Sequence, residues 1–158
     1  MTNTITLRDV IETDLPVFFE HESDLDAVYM AAFTAKDPSD RDAFNAHWKR
    51  IMSDPTVIIK TILVDGRVAG SVLSYEDEGK PEVSYWIGRE FWGKCIATAA
   101  LKEFLGLVTT RPLYARAVKD NIASLRVLEK CGFTITGEGK GFANARGMEV
   151  EEFILILK

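Results

Sequence analysis

The chain has 158 residues, of which 47% are hydrophobic and 27% are charged, and its formal net charge is −5. This composition is typical of one globular domain and excludes a disordered chain, and the acidic balance argues against nucleic-acid binding through a basic face. No run of about 18 apolar residues occurs and the N-terminus lacks a basic-then-apolar leader pattern, so we expect neither a membrane span nor a signal peptide.

The first part of the chain predicts one strand followed by helices. Apolar and polar residues alternate over residues 4–8, which indicates a strand. Thr13 or Asp14 can cap a helix that ends near Ser23, and a second short helix is expected over residues 24–32.

A third helix follows the break at Lys36-Asp37-Pro38. Ser39 with Asp42 three residues later resembles a capping box and predicts the start of this helix. The pair Asp54-Pro55 ends it. Its apolar face has helical spacing and contains Phe44, Trp48, Ile51 and Met52.

The hydrophobic period changes to that of strands after residue 57. The segments 57–64 and 67–75 flank Asp65-Gly66, which predicts a β-hairpin with a type I′ turn. Another reversal over residues 77–81 leads into a strand over residues 82–88.

The C-terminal half alternates helices and strands. We expect a helix over residues 96–108, a strand over 113–118, and a helix that begins at Asn121 and is closed by Gly132 in a left-handed cap. Two final strands, at 133–138 and 148–157, bracket a glycine-rich tip. Together these elements predict a single α/β (α+β) domain over residues 1–158, with a mostly antiparallel sheet of about seven strands and helices on both faces.

The segment from Glu82 to Leu107 predicts a binding site for a phosphorylated ligand. A strand that passes through a tight turn into a helix leaves unpaired backbone N–H groups at the helix start, and these groups bind phosphate well. We therefore interpret residues 92–98, Trp92-Gly93-Lys94-Cys95-Ile96-Ala97-Thr98, as an anion cradle for a phosphorylated cofactor.

The cysteines and histidines predict neither a disulfide framework nor a metal site. The two cysteines, Cys95 and Cys131, form no disulfide framework, and no His or Cys spacing predicts a metal site, so a reducing, cytoplasmic setting fits best. Cys131 is expected to pack in the core. His21 and His47 fall in no motif.

Two blocks, EVSYWIGREFWGKCIATAAL and ARAVKDNIASLRVLEKCGF, resemble the GNAT superfamily of acyl-CoA-dependent N-acetyltransferases. The resemblance covers nearly the whole chain and is sharpest over residues 82–133, and it is nearest to the branch of Rim-type acetyltransferases of ribosomal-protein N-termini. The second block is the more specific one, with N-x-x-S-x-x-x-x-E-K-x-G-F beginning at Asn121.

The resemblance implies acetyl-CoA as cofactor and a sheet whose strands at 82–88 and 113–118 splay apart to admit the pantetheine arm. Splayed strands expose backbone groups that the two amides of the arm can satisfy. The implied cofactor-binding residues lie on and just after the first splayed strand, in the cradle, and at the start of the helix that follows the second splayed strand. They are Trp86, Ile87, Gly88, Trp92, Gly93, Lys94, Cys95, Ile96, Ala97, Thr98, Asn121 and Ser124.

Two positions depart from the family's glycine loop. Trp92 stands at a Gln/Arg position, and Cys95 stands where the family commonly has glycine. If the backbone of Cys95 has positive φ, its Cβ costs roughly 1 kcal/mol. We therefore expect weakened cofactor binding, with a cysteine tolerated in a slightly altered turn.

Acetyl transfer to an amine needs a base, donors for the carbonyl oxygen and a proton for the departing thiolate. Glu82 is the candidate base, with Glu76 and Glu78 as alternatives and a solvated strand-edge carboxylate as the competing interpretation. Ser124 is the candidate acid, and Asn121 is the candidate that holds a pantetheine amide. A backbone N–H near residues 86–88 is the expected oxyanion donor.

Three functions stay open at this point. The first is an N-acetyltransferase that moves acetyl directly from acetyl-CoA to a primary amine in a ternary complex; the second is a non-catalytic acyl-CoA-binding module. The third, a generic nucleotide-phosphate binder, is disfavoured because no GxxxxGK[ST] loop is present. The sequence does not specify the acceptor, which could be a small amine or a protein N-terminus. A homodimer formed through the C-terminal strands is also possible on sequence grounds and is not specified. No nucleic acid, membrane or metal partner is expected.

Overall fold

The computed structural model describes residues 4–158. Its strands are β1 Ile5–Asp9, β2 Ile58–Val64, β3 Arg67–Asp77, β4 Lys80–Ile87, β5 Leu113–Val118, β6 Thr134–Ala143 and β7 Met148–Leu157. Its α-helices are α1 Leu15–Ser23, α2 Leu25–Ala31, α3 Arg41–Ser53, α4 Ile96–Leu107 and α5 Ile122–Lys130. Within the described residues, none of these helices has the length and apolar character needed to cross a lipid bilayer.

The seven strands form one sheet in the order β1-β2-β3-β4-β5-β7-β6. All neighbouring strands run antiparallel except β4 and β5, which are parallel and share the single register pair Glu82–Tyr114. Beyond that pair the two strands diverge, while the opposite edge of β5 stays paired along its full length with β7. The splay that the resemblance implied is therefore present between the predicted strands.

The sheet has a different helix layer on each face. On one face, Val83, Tyr85 and Ile87 pack with residues of α4 and α5 in the main core. On the other face, α1 lies over β3 and β4, and the indole N–H of Trp86 donates to the carbonyl oxygen of His21 at 3.2 Å. Glu82, Ser84 and Trp86 share this second face because side chains alternate along a strand.

Asp14 anchors the second helix layer to the sheet. Its carboxylate accepts two hydrogen bonds from Arg8, at 2.7 and 2.8 Å, and one from the Thr61 hydroxyl at 2.7 Å. Asp14 stands at the N-cap of α1 and the helix ends at Ser23, as predicted, but the described residues show no capping hydrogen bond from its side chain to α1. This charged side chain, only 2% exposed, is held by the Arg8 cation, the Thr61 hydroxyl and the backbone N–H of Ile11, which donates to it at 3.0 Å.

The predicted turns are confirmed where positive φ is required. Asp65 and Gly66 have φ of 50° and 81°, as a type I′ turn demands, and Gly132 has φ of 96° after α5. The predicted capping box at Ser39 is wrong, because Asp40 caps α3 by accepting from the N–H of Ala43 at 3.0 Å.

The predicted glycine-rich tip is shorter than expected. Strand β6 continues through Gly137, Gly139 and Gly141 to Ala143, since each of these glycines lies opposite a residue of β7. Pairing with a long partner strand outweighs the low strand propensity of glycine.

The tip of the β6–β7 hairpin is fastened to α2. The guanidinium of Arg146 donates to the carbonyl oxygen of Tyr29 at 2.9 Å and to both carboxylate oxygens of Asp120, and it lies 4.2 Å from the Tyr29 ring centroid. The N–H of Ala145 also donates to the carbonyl oxygen of Ala32 at 3.2 Å. Helix α2 and the hairpin tip therefore form one wall beside β5, the second splayed strand.

Candidate functional site

The candidate site is the opening between β4 and β5. After the Glu82–Tyr114 pair, the facing backbone groups of both strands have no strand partner in the described part of the chain. By strand alternation, the N–H and C=O of Tyr85 and Ile87 point toward the opening, because those of Trp86 and Gly88 point toward β3. An extended ligand with amides of its own can pair with these edges.

The cradle at residues 92–98 leads from this opening into α4. No acceptor within the described residues bonds the backbone N–H groups of residues 93–98, and α4 has no side-chain cap. Six consecutive free donors at the start of a 12-residue helix form an anion site, strengthened by the positive end of the helix dipole. This geometry fits a diphosphate.

Three residues shape the cradle. Gly93 has φ of 76°, and a Cβ built on it would touch nothing within 4 Å, so its role is conformational. Cys95, which stands where the family commonly has glycine, has φ of 61°, so its backbone is left-handed. The indole N–H of Trp92 donates to the carbonyl oxygen of Ile87 at 2.9 Å, which ties the turn back to β4. Trp92 therefore replaces the family's polar residue with a structural contact.

The start of α5 lies on the other side of the opening. The Asn121 side chain caps α5 by accepting from the N–H of Ser124 at 3.3 Å, and its amide donates to the carbonyl oxygen of Met30 at 3.3 Å. The hydroxyl of Ser124 lies 2.9 Å from the hydroxyl of Tyr85. The structure thus brings both predicted α5 residues to the opening and adds Tyr85 to them.

Glu82 is buried where β4 and β5 meet, with 7% of its surface exposed. Arg116 of β5 donates to its two carboxylate oxygens at 3.1 and 3.3 Å, and the same guanidinium also contacts Glu152 and Asp77. Burial raises the pKa of Glu82 above its usual range, although the charge of Arg116 opposes the shift. A carboxylate with a raised pKa can accept a proton from an amine.

The predicted oxyanion donors are not equivalent. The N–H of Gly88 donates to the carbonyl oxygen of Ala69 at 2.8 Å and is therefore already used. Gly88 also lies under the imidazole of His21, since a Cβ at Gly88 would lie 2.4 Å from His21 Nε2. Of the three predicted residues, Ile87 is the one whose N–H points into the opening.

Glu22 in the last turn of α1 is a carboxylate that sequence reasoning missed. Burial raises its pKa to about 7, and hydrogen bonding from the Trp48 indole only partly opposes this shift. The contact is poorly aligned, because Trp48 Nε1 is buried without a hydrogen bond of standard geometry among the described residues. No sequence pattern indicates that Glu22 is buried. It lies in an acidic stretch of the chain, where a solvated side chain is expected.

The chain matches the family described as "Acetyltransferase (GNAT) domain" over residues 4–134. It is also 31% identical over 128 residues to the Bacillus subtilis (strain 168) protein named "Putative ribosomal N-acetyltransferase YdaF". That alignment covers 73% of this chain and 69% of the relative. The family and the ribosomal branch that the two sequence blocks resemble are confirmed.

Solved structures confirm the fold. A GNAT superfamily phosphinothricin acetyltransferase from Sinorhizobium meliloti, solved with acetyl-CoA, has a TM-score of 0.81 at 21% identity, covering 99% of this chain and 88% of its own. RimL, a ribosomal L7/L12 alpha-N-protein acetyltransferase solved with coenzyme A, has a TM-score of 0.78 at 17% identity, covering 96% of this chain and 93% of its own. With its splayed strands and main-chain anion cradle, the chain belongs to the GNAT family of acetyltransferases, whose acetyl donor is acetyl-CoA.

Proposed function

We propose that the chain transfers an acetyl group directly from acetyl-CoA to a primary amine while both are bound in a ternary complex. The carrying observation is that Glu82 and Ser124 lie at the same opening but on opposite faces of the sheet. A donor that enters between β4 and β5 has a proton acceptor on one face and a hydroxyl donor on the other. No covalent enzyme intermediate is required by this arrangement.

The cofactor-binding residues divide by the group they would hold. The N–H groups of residues 93–98 would bind the diphosphate, and the free edge at Tyr85 together with the C=O of Ile87 would pair with the arm. Asn121 would contact the arm from the start of α5. When bound, acetyl-CoA supplies a thioester carbonyl that is already activated toward amines.

Glu82 takes the proton of the acceptor amine. Free alkyl amines are largely protonated near neutral pH, since the lysine reference pKa is about 10.4, so a base is needed. The raised pKa of Glu82 makes its carboxylate a stronger base than an exposed glutamate. The N–H of Ile87 is placed to donate to the carbonyl oxygen as it gains charge.

We further propose a protein N-terminal amine as the acceptor. The 31% identical relative carries a ribosomal N-acetyltransferase name, which supports this class. An α-amino group has a reference pKa of about 7.7–8.0, so a carboxylate base deprotonates it more readily than a lysine side chain.

The test measures thiol release from acetyl-CoA with three matched acceptors: a peptide with a free N-terminus, the same peptide N-acetylated but carrying lysine, and a polyamine. We expect release with the free N-terminus. Calorimetry with CoA on the same protein separates the alternatives. Binding without turnover for any amine would indicate the non-catalytic acyl-CoA-binding module, and absence of binding at millimolar CoA would overturn the cofactor assignment.

A further inference from the structure

Tyr85 and Ser124 are linked across the opening between β4 and β5. Their hydroxyl oxygens lie 2.9 Å apart, although the residues are 39 positions apart in the chain. Tyr85 belongs to β4, and Ser124 lies in the first turn of α5, which follows β5. This side-chain hydrogen bond therefore joins the two elements that flank the bound arm in the proposed function.

The direction of this hydrogen bond follows from acidity. A phenol, with a reference pKa of about 10, is a much stronger acid than an alkyl alcohol, so the Tyr85 O–H donates and the Ser124 oxygen accepts. The proton of Ser124 is then free to point elsewhere. Asn121 fixes the backbone of the first turn of α5 through the Ser124 N–H, and the Tyr85 hydroxyl restrains the serine side chain itself.

We propose that Tyr85 is a positioning residue that orients the Ser124 O–H toward the sulfur of coenzyme A. This inference rests on the proposed function, in which the thioester lies in the same opening. When the bond between the carbonyl carbon and sulfur breaks, the electron pair goes to sulfur, and the Ser124 O–H stabilises that charge by a hydrogen bond. The proton released by the amine goes to Glu82 and from there to solvent, which also protonates the thiolate.

Tyr85 itself keeps its proton throughout. Burial raises its pKa to about 12. A thiol has a reference pKa of about 8.5, so a thiolate cannot remove the phenolic proton to any useful extent. The contribution of Tyr85 is therefore a fixed hydrogen-bond geometry, and Tyr85→Phe removes it while leaving the ring in place.

The test compares CoA with desulfo-CoA, which lacks only the sulfur, by calorimetry on the full chain. For Tyr85→Phe we expect the Kd of CoA to rise about fivefold to tenfold, the effect of one lost hydrogen bond, and the Kd of desulfo-CoA to stay unchanged. Ser124→Ala should show the same selective loss, and the double variant should lose no more than either single variant. Tyr114→Phe, on the other splayed strand, is the control and should bind both ligands normally.

Two results would overturn the inference. An equal loss for both ligands would show that Tyr85 only shapes the groove, and no loss for either would show that its hydroxyl is idle. If the unaltered chain bound neither ligand, the proposed function itself would fail, and this inference with it. Thermal unfolding of each variant checks that the fold is retained.

Discussion

Arg116 of β5 donates to both carboxylate oxygens of Glu82 on β4, at 3.1 and 3.3 Å, at the last point where the two strands still pair. The ion pair closes the narrow end of the opening. It also fixes the Glu82 carboxylate, whose pKa stays above its usual range because burial outweighs the charge of Arg116. A held carboxylate that still binds protons readily is suited to act as a base.

We expect Glu82→Gln to lower kcat/KM by about 100-fold or more, since a positioned general base contributes about that much. In the unaltered enzyme, kcat/KM should fall as the pH drops through the raised pKa of Glu82, because the protonated carboxyl cannot accept the amine proton. Steady-state kinetics over a pH series checks both outcomes. Glu76→Gln, on the exposed end of β3, is the matched control; an equal loss in that variant would refute the assignment.

Cys95→Gly should raise the free energy of unfolding by up to about 1 kcal/mol, because removing the Cβ that is strained at φ of 61° outweighs the entropy lost on ordering glycine. Lys94→Gly is the control. Its backbone is not left-handed, so the same substitution should destabilise the protein by about 0.5–1 kcal/mol through chain entropy. Urea unfolding of the two variants decides the matter, and equal shifts of the same sign would contradict the strain.

Asp14→Asn should cost about 1–3 kcal/mol of stability, because it removes the charge that Arg8 and Thr61 hydrogen-bond at a carboxylate whose side chain is only 3% exposed. Burial acts to raise the pKa of Asp14, but hydrogen bonds from Arg8, Ile11 and Thr61 lower it below 3.8 overall. The ion pair therefore stabilises the fold above about pH 4 and is lost as the pH falls through the lowered pKa.

Acid unfolding monitored by circular dichroism checks the Asp14 prediction. The variant should lose its stability less steeply with acid than the unaltered chain. Asp9→Asn, which removes an exposed partner of Lys60, should change the acid unfolding far less, because solvent screens this pair although it also lowers the pKa of Asp9. If Asp14→Asn lost stability with acid as steeply as the unaltered chain, the proposed contribution of the Arg8–Asp14 ion pair would be contradicted.

Glu22→Gln should stabilise the fold at pH 8 and have little effect at pH 4. The folded pKa of Glu22 is raised from 4.5 to about 7, so its contribution to stability is complete below pH 4.5 and is lost as the pH rises through 7. Removing the charge should therefore recover about 2–3 kcal/mol at pH 8. Urea unfolding at the two pH values measures this with Glu20→Gln, an exposed neighbour in the same helix, as the control, and an equal gain at pH 8 in both variants would contradict the assignment.

Local rules predicted most element positions. The Asp65-Gly66 turn, the Asn121 cap and the left-handed Gly132 each follow from the conformational needs of a few adjacent residues. The capping error at Ser39 is of the same kind, because Asp40, one residue on, offers the same side-chain acceptor.

The missed features depend on distant contacts. Glu82 and Arg116 are 34 residues apart, and their pairing exists only because β5 crosses to lie parallel to β4. Glu22 and Trp48 lie on different helices, and Tyr85 meets Ser124 across the opening. No local pattern encodes such pairs. The sequence therefore predicts Glu82 and Ser124 as site residues, but it does not predict that Arg116 and Tyr85 hydrogen-bond them.

The fastening of the hairpin tip to α2 sets an order for folding during synthesis. Helix α2 has seven residues, which is too short to persist in water without tertiary support. Arg146, Asp120 and Ala145, which brace it, leave the ribosome more than eighty residues after α2 has been made. We therefore expect this helix to be translated early and ordered late, so that a nascent chain acquires a complete wall beside the opening only when its last hairpin has formed.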